Sequence, residues 1–189
     1  MSYRVLVIPE DFRKDQFVLE PIVSKMFEAT GRKAKVLICR DPLLGGIDQA
    51  LKWERIQEII VRYRSMIECF LHIVDRDGKP GRREALNRIE SLAAIELTSG
   101  KRFLSENAWQ EVEVWLLAGH DLPAEWAWRD VRVHENPKEA YYLPFAEKRG
   151  VLHEPAEGRG VLGREAAARY GRIRTLCAEV SELERRLSG

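Results

Sequence analysis

The sequence predicts an α/β fold: a three-layer sandwich on a mainly parallel central sheet, with an irregular and helical C-terminal extension. Three observations predict it. Runs rich in aliphatic and β-branched residues, "YRVLVIP" (3–9), "KAKVLICR" (33–40) and "IECFLHIVD" (67–75), read as strands, and helical stretches separate them. The third run is apolar almost without interruption, as a central strand buried on both faces would be. Strand, helix, strand, helix, strand is the order that gives parallel pairing through crossovers.

Each element has its own reason. Pro9 stops the first strand. In "KDQFVLEPIVSKMFEATG", Phe17, Val18, Ile22, Val23, Met26 and Phe27 recur at helical spacing; Pro21 weakens or kinks that helix and Gly31 suits its end. After the loop "DPLLGG", the positions Ile47, Leu51, Ile56, Ile59, Ile60 and Tyr63 predict a helix through 47–66. Arg82 to Leu97 predicts another. "ENAWQEVEVWLLAG" (106–119) fits both periods and is read as helix. From 119 to 160 the chain is rich in Pro, Gly and Trp and reads as irregular. "REAAARYGRIRTLCAEVSELERRL" reads as one amphipathic helix. The expected division is an α/β domain over 1–120 and an extension over 121–189 packed on it.

Composition bounds the function. The 189 residues suffice for a real core, and 31 basic against 30 acidic side chains leave almost no net field to steer a polyanion. Any nucleic-acid contact must therefore be a local patch. Three cysteines, odd in number and in no CxxC pair, point to a reducing interior and away from structural zinc. No signal peptide and no membrane-spanning run is expected, so a cytoplasmic location is expected.

The chemistry-bearing residues lie where strands end. Ligands of an open parallel sheet gather at the carboxyl ends of its strands. The first strand runs into Glu10 and Asp11, with Asp15 four residues beyond, and the third runs into "DRDG", Asp75 to Gly78. If those strands are neighbours, Glu10 or Asp11 converges with Asp75 and Asp77. Carboxylates that close stay ionised together only if a cation shares the site. Oxygen ligands without a His or Cys cluster favour a hard ion, Mg²⁺ or Mn²⁺. Asp-x-Asp-Gly is also ordinary turn chemistry, and Asp15 also reads as a first-turn acid or cap of the following helix.

A first strand ending in an acid, followed by a strand ending in Asp-x-Asp, resembles the Toprim fold of topoisomerases, primases, small M5-type ribonucleases and OLD-family nucleases. "VLVIPED", "IVDRDG" and "EVEVWLLAG", in that order, resemble more closely the Toprim-like domains of unknown function of the DUF4276 type, over roughly residues 3 to 120. The resemblance implies that Asp75 and Asp77 bind metal, that Glu10 is the general acid or base, and that Glu113 is a further acid at the site. It departs at strand one, where Pro9-Glu10-Asp11 stands in place of Glu-Gly, leaving Glu10 and Asp11 both open as the first acid. Glu111 and Glu113, two apart on a helix, cannot both face one ion, and the resemblance selects Glu113. Trp115, beside Leu116 and Leu117, reads as core.

Among cations, Arg76, Lys79, Arg82 and Arg83, with Arg88 beyond, follow the aspartates and are the expected phosphate contacts. Arg159, Arg164, Arg169, Arg172 and Arg174 offer a second surface, unless Glu179, Glu182 and Glu184 pair with them. His72 reads as core, and His120 as a residue that could approach the acids. No P-loop and no GxGxxG follows a strand. The leading expectation is a Mg²⁺- or Mn²⁺-dependent nuclease that hydrolyses phosphodiesters. The resemblance further implies nucleic acid as partner, a co-encoded ATPase, a role in defence against phage, and a homo-oligomer as an option. Two other readings use the same residues: an interaction module that does not cut, with Trp126, Trp128, Tyr141 and Tyr142 as its contact surface, and a small-molecule phosphatase.

Overall fold

The structure, a computed structural model, describes residues 3–98 and 100–189; Met1, Ser2 and Ser99 lie outside it. Four strands, β1 (Tyr3–Pro9), β2 (Ala34–Ile38), β3 (Cys69–Asp75) and β4 (Arg102–Ala108), form a wholly parallel sheet in the order β2-β1-β3-β4. Helices cover both faces, giving the expected three-layer α/β sandwich. β1 and β3 are neighbours, with Val5 opposite Cys69 and Pro9 opposite Ile73, so their carboxyl ends lie side by side.

Alternate strand residues feed two cores. Val5, Val7, Leu71 and Ile73 face one; Leu6, Ile8, Phe70 and Val74 face the other, with Ile56, Ile59 and Ile60 of α3 (Trp53–Tyr63) and Leu86 and Ile89 of α4 (Arg82–Glu96). This two-sided burial explains why β3 is apolar along its length. A four-residue helix, α2 (Ile47–Ala50), precedes α3, so the expected helix over 47–66 is two.

α1 (Phe12–Ala29) faces the first core. Asp11 caps it by accepting the Arg13 N–H at 3.0 Å, and Gly31, at φ 73°, ends it: its N–H and that of Arg32 close onto Glu28 O and Phe27 O. The helix runs through Pro21, held by a buried face of Val18, Leu19, Ile22, Val23, Met26 and Phe27. Six such side chains at about 1.5–3 kcal/mol each contribute on the order of 10 kcal/mol, more than the roughly 3 kcal/mol a helix-interior proline costs.

Two expectations are corrected. The segment 106–119 is not one helix: Glu106, Asn107 and Ala108 complete β4, and α5 is only Glu113–Ala118, buried at every residue. Its lack of a solvent face is why neither period dominated. The C-terminal stretch is three helices, α8 (Arg159–Ala168), α9 (Tyr170–Leu176) and α10 (Ala178–Ser188), broken at Arg169 and at Cys177, whose backbone is extended. The region before it holds α6 (Trp128–Val133), a π-helical turn over Lys138–Tyr142, and α7 (Leu143–Lys148).

Leu162, Ala166, Ile173, Val180, Leu183 and Leu187 of α8 to α10 share the first core with α1 and the sheet. α8 lies so close on α1 that a Cβ at Gly163 would fall 2.1 Å from Phe17 O. α10 lies beside β4, an edge strand whose outer backbone is occupied by charged side chains. Ser105 N–H donates to Glu90, Trp109 N–H donates to Glu179 at 3.1 Å, and Arg83 and Arg186 donate to Ser105 O at 2.8 and 3.2 Å. Among the described residues no helix is long and apolar enough to cross a membrane. Cys39, Cys69 and Cys177 are buried free thiols.

Candidate metal centre at the carboxyl end of the sheet

The β3 exit sets the site. After Asp75 the chain turns through Asp77 (φ 49°) and Gly78 (φ 64°). Gln110, just past β4 and itself at φ 52°, stitches this turn. Its carbonyl accepts Arg76 N–H and Asp77 N–H at 2.9 and 3.0 Å, and its side-chain Oε1 accepts Gly78 N–H at 2.7 Å. Two left-handed non-glycine residues held against each other store strain of the kind that clusters at functional sites. Val112 N–H donates to Asp75 Oδ1 at 2.9 Å, so the chain entering α5 orients the first aspartate.

Carboxylate oxygens of Asp75, Asp77 and Glu111 lie within 4.8 Å of one another, close enough to share a metal ion. Asp75 and Glu111, but not Asp77, line a cleft of about 370 Å³ whose six acids are Glu10, Asp11, Asp15, Asp75, Glu111 and Glu113 and whose four cations are Arg13, Lys14, Lys138 and Arg159. Two acids are matched within the lining. Asp11 holds Arg13 through both carboxylate oxygens, and Glu113, buried, is held by the fully buried Arg159, whose Nε donates at 3.0 Å. Four are not: Glu10, Asp15, Asp75 and Glu111. Lys14 and Lys138 pair instead with Glu157 and Glu139, outside the cleft lining.

The unmatched acids hold protons tightly. Burial, then the charges of Glu113, Asp15, Glu10 and Asp77, lifts Asp75 well above the usual carboxylate range. Burial and then Glu113 push Asp15 up to about 7. Burial, partly offset by the Lys138 N–H, pushes Glu111 up to about 7, and burial with the charge of Asp77 raises Glu10. Asp11 is lowered by its hydrogen bonds with Arg13. Crowded carboxyls that resist ionising are those a cation would relieve.

The expected residues divide as follows. Asp75 and Asp77 belong to the three-carboxylate set. Glu10 stands beside it, its Oε2 accepting Asp75 N–H at 3.4 Å, while the Asp11 carboxylate serves the α1 cap and Arg13. Asp15, in the first turn of α1, accepts Asp11 N–H at 3.3 Å. The preference for Glu113 over Glu111 is reversed. α5 begins at Glu113, so Glu111 lies before the helix and the angular argument that separated them does not apply; Glu113 is taken by Arg159.

The expected phosphate contacts mostly point elsewhere. Arg82 pairs with Asp77 at 3.2 Å. Lys79 is exposed and outside the cleft lining. Arg76 stacks on Trp109, 3.9 Å from the ring centroid, and Arg83 pairs with Glu106 at 2.8 Å. Both line a separate groove of about 970 Å³, larger than the cleft and on the β4 side. His120 lies away from the acids, its Nε2 3.0 Å from Leu162 O, and His72 is wholly buried.

Arg169 and Arg172 pair with Asp121, and Arg174 with Glu184. Of the proposed aromatic surface, Tyr142 is buried and Trp126, Trp128 and Tyr141 pack on the core, so the four do not form an open patch. Trp115 is fully buried.

Two participants escaped sequence reasoning, Gln110 and Lys138, while Arg159, expected on a second contact surface, is instead buried against Glu113. The π-helical turn beginning at Lys138 has no sequence signature, although π-turns are frequent at functional sites. Compared with protein-family models, with curated proteins and with solved structures, the chain finds no match in any of the three.

Proposed function

We propose that the protein is a divalent-metal-dependent phosphodiesterase acting on nucleic acid, with Asp75, Asp77 and Glu111 as the residues that would hold Mg²⁺ or Mn²⁺ and Glu10 beside them. The convergence of those three carboxylates carries the reading. The donor set fits a hard cation: all-oxygen, with four cleft acids that no cation of the lining pairs with. A bound ion would supply positive charge to a phosphoryl oxygen and acidify water. In the hydrolysis, the oxygen of water bonds to phosphorus, the ester oxygen leaves with its electron pair, and the proton of water passes to solvent. The chain's own part is to orient: Val112 N–H fixes Asp75, Gln110 fixes the Asp77 turn, and Lys138 N–H fixes Glu111 at 2.8 Å.

Two further observations support nucleic acid over a small phosphate ester. The groove on the other side of the Asp75–Gly78 turn is lined by five arginines against four glutamates. Its Arg76 and the exposed Arg129, the latter beside Asp130, would offer a polymer positive charge beyond the cleft. The Toprim resemblance adds the same expectation, and with it a partner ATPase and a defence role. One observation favours the non-cutting module: Glu113, an acid the resemblance assigns to the site, is neutralised by Arg159.

Incubation of plasmid, linear DNA and RNA with Mg²⁺ or Mn²⁺, beside an Asp75→Ala/Asp77→Ala variant, tests the reading. Cutting that needs the metal and vanishes in the variant is expected. Mn²⁺ binding without cutting, alone or with a co-encoded ATPase, would favour the module.

A further inference from the structure

We propose that Lys14 and Lys138 are the cleft's phosphate-contacting cations, in place of the arginines that follow Asp77; this rests on the phosphodiesterase reading above. The four cations of the lining differ in what they are free to do. Arg13 is chelated by Asp11, its Nε meeting Oδ1 and Oδ2 at 2.9 and 3.1 Å. Arg159 is wholly buried and fully engaged by Glu113, Glu157 and Ala156 O, with its guanidinium 4.5 Å from the Tyr142 ring centroid. Arg159 cannot turn to a ligand without orphaning a buried charge, and Arg13, though 63% exposed, would have to give up a carboxylate that it already meets through both oxygens.

The two lysines are different. Lys14 makes one ion pair, with Glu157 at 2.9 Å, and both side chains are over a third exposed. Glu157 keeps Arg159 if Lys14 leaves. Lys138 makes one ion pair, with Glu139 at 2.9 Å, and Glu139, 56% exposed, is hydrated without it. Exposed pairs of this kind are worth about 0–1 kcal/mol, so an anion in the cleft outcompetes them. An ammonium on a flexible stem can make that exchange, whereas a forked guanidinium already held by a carboxylate cannot.

The lysines come from separate elements, α1 and the π-helical turn. Lys138 is also tied to the acidic set, because its backbone N–H donates to Glu111 at 2.8 Å. The element that carries the Lys138 ammonium is thereby anchored at the acidic set, and its side chain lines the same cleft. A bound metal would offset the charge of the cleft acids, so that an anion could approach the two lysines.

The test uses the full chain with two readouts. Mn²⁺ binding is measured calorimetrically in the wild type, Lys14→Ala, Lys138→Ala, Lys138→Arg and, as a control, Arg64→Ala, an exposed residue at the end of α3 outside the cleft lining. Affinity for a fluorescent, uncleavable phosphorothioate oligonucleotide is then measured by anisotropy on the Mn²⁺-loaded proteins. Mn²⁺ affinity is expected to change less than about 3-fold in the lysine variants. Oligonucleotide affinity is expected to fall roughly 10-fold in Lys14→Ala and in Lys138→Ala, to recover in part in Lys138→Arg, and to hold in Arg64→Ala. A wild type that binds no Mn²⁺ overturns the phosphodiesterase reading and this inference with it. Mn²⁺ binding with oligonucleotide affinity absent, or untouched by the lysine changes, overturns the lysine assignment alone. Loss of Mn²⁺ binding in Lys138→Ala makes that residue a support for Glu111 and likewise overturns it.

Discussion

The acidic cleft and the arginine-lined groove flank the same turn, Asp75 to Gly78, and both bury carboxylates; they differ in what those carboxylates meet. In the groove the acids, Glu106 buried and the other two half-buried, have cations: Glu179 has Arg132, Glu106 has Arg83, and Glu90 has Arg186. They also accept backbone N–H groups of β4 and its exit. In the cleft, Glu10, Asp15, Asp75 and Glu111 crowd together while the nearest lysines pair elsewhere. A buried acid that is paired belongs to the architecture. One left unpaired among its own kind costs stability, and its persistence points to a ligand.

This contrast can be broken by experiment. The largest expected effect is in the groove. Glu179 accepts Trp109 N–H, the Trp115 indole N–H at 2.8 Å and the Arg132 guanidinium. Glu179→Ala orphans all three donors and is expected to cost about 3–5 kcal/mol, lowering Tm by on the order of 10 °C. An unchanged thermal unfolding curve would erase the distinction between the two regions.

Next comes the ion. Mg²⁺ or Mn²⁺ at a hundredfold excess over its Kd should stabilise the protein by about 2.7 kcal/mol. The gain should be larger at pH 8 than at pH 6, because the ion must displace protons from Asp15 and Glu111. Asp75→Asn/Asp77→Asn should abolish it. Equal shifts of Tm in wild type and variant would show that the ion acts elsewhere.

The opposite sign is expected on removing a cleft acid. Asp15 titrates near 3.8 unfolded and about 7 folded, so the folded state holds the extra proton in between. Its stabilising contribution is complete below about pH 4 and is lost as pH rises through 7. Asp15→Asn, which can still accept Asp11 N–H, should therefore match the wild type near pH 4. At pH 8 without metal it should be more stable by on the order of 1–3 kcal/mol. Chemical denaturation at the two pH values reads this directly, and a destabilised variant at pH 8 would count against an unrelieved cleft.

The smallest effect is at the turn. Gln110→Ala removes the hydrogen bond from Gly78 N–H and the longer one, 3.5 Å, from Arg76, and should cost about 1 kcal/mol while weakening Mn²⁺ binding severalfold. Weaker folding with unchanged ion affinity would separate the turn from the metal set.

Much of the fold was legible because hydrophobic burial writes itself in period. β1, β3 and α1 needed no more than their apolar spacing, whereas the neighbouring of β1 and β3 was only a condition of the sequence reading and comes from the sheet order. β4 was not legible: Ser105, Glu106 and Asn107 are buried yet polar, since a strand at the sheet's edge meets charged side chains rather than another strand. The breaks in the C-terminal helix were hidden because α8, α9 and α10 each present apolar residues to the same core.

At the site, Asp75 and Asp77 could be read from a strand's end. Glu111 could not be separated from Glu113 without knowing that α5 starts two residues later. The Glu113–Arg159 pair spans 46 residues and leaves no local trace.

The ionic clasp along β4 also decides how this sheet can meet other chains. An incoming strand would have to strip Glu90 and Glu179 from the Ser105 and Trp109 amides and evict two guanidiniums from the Ser105 carbonyl, so that border is shut to templated growth. Only the β2 border has no such lock in the hydrogen bonds of the described residues, which gives the sheet a direction: recruitment by strand addition, or fibrillar misassembly, can start from one flank alone.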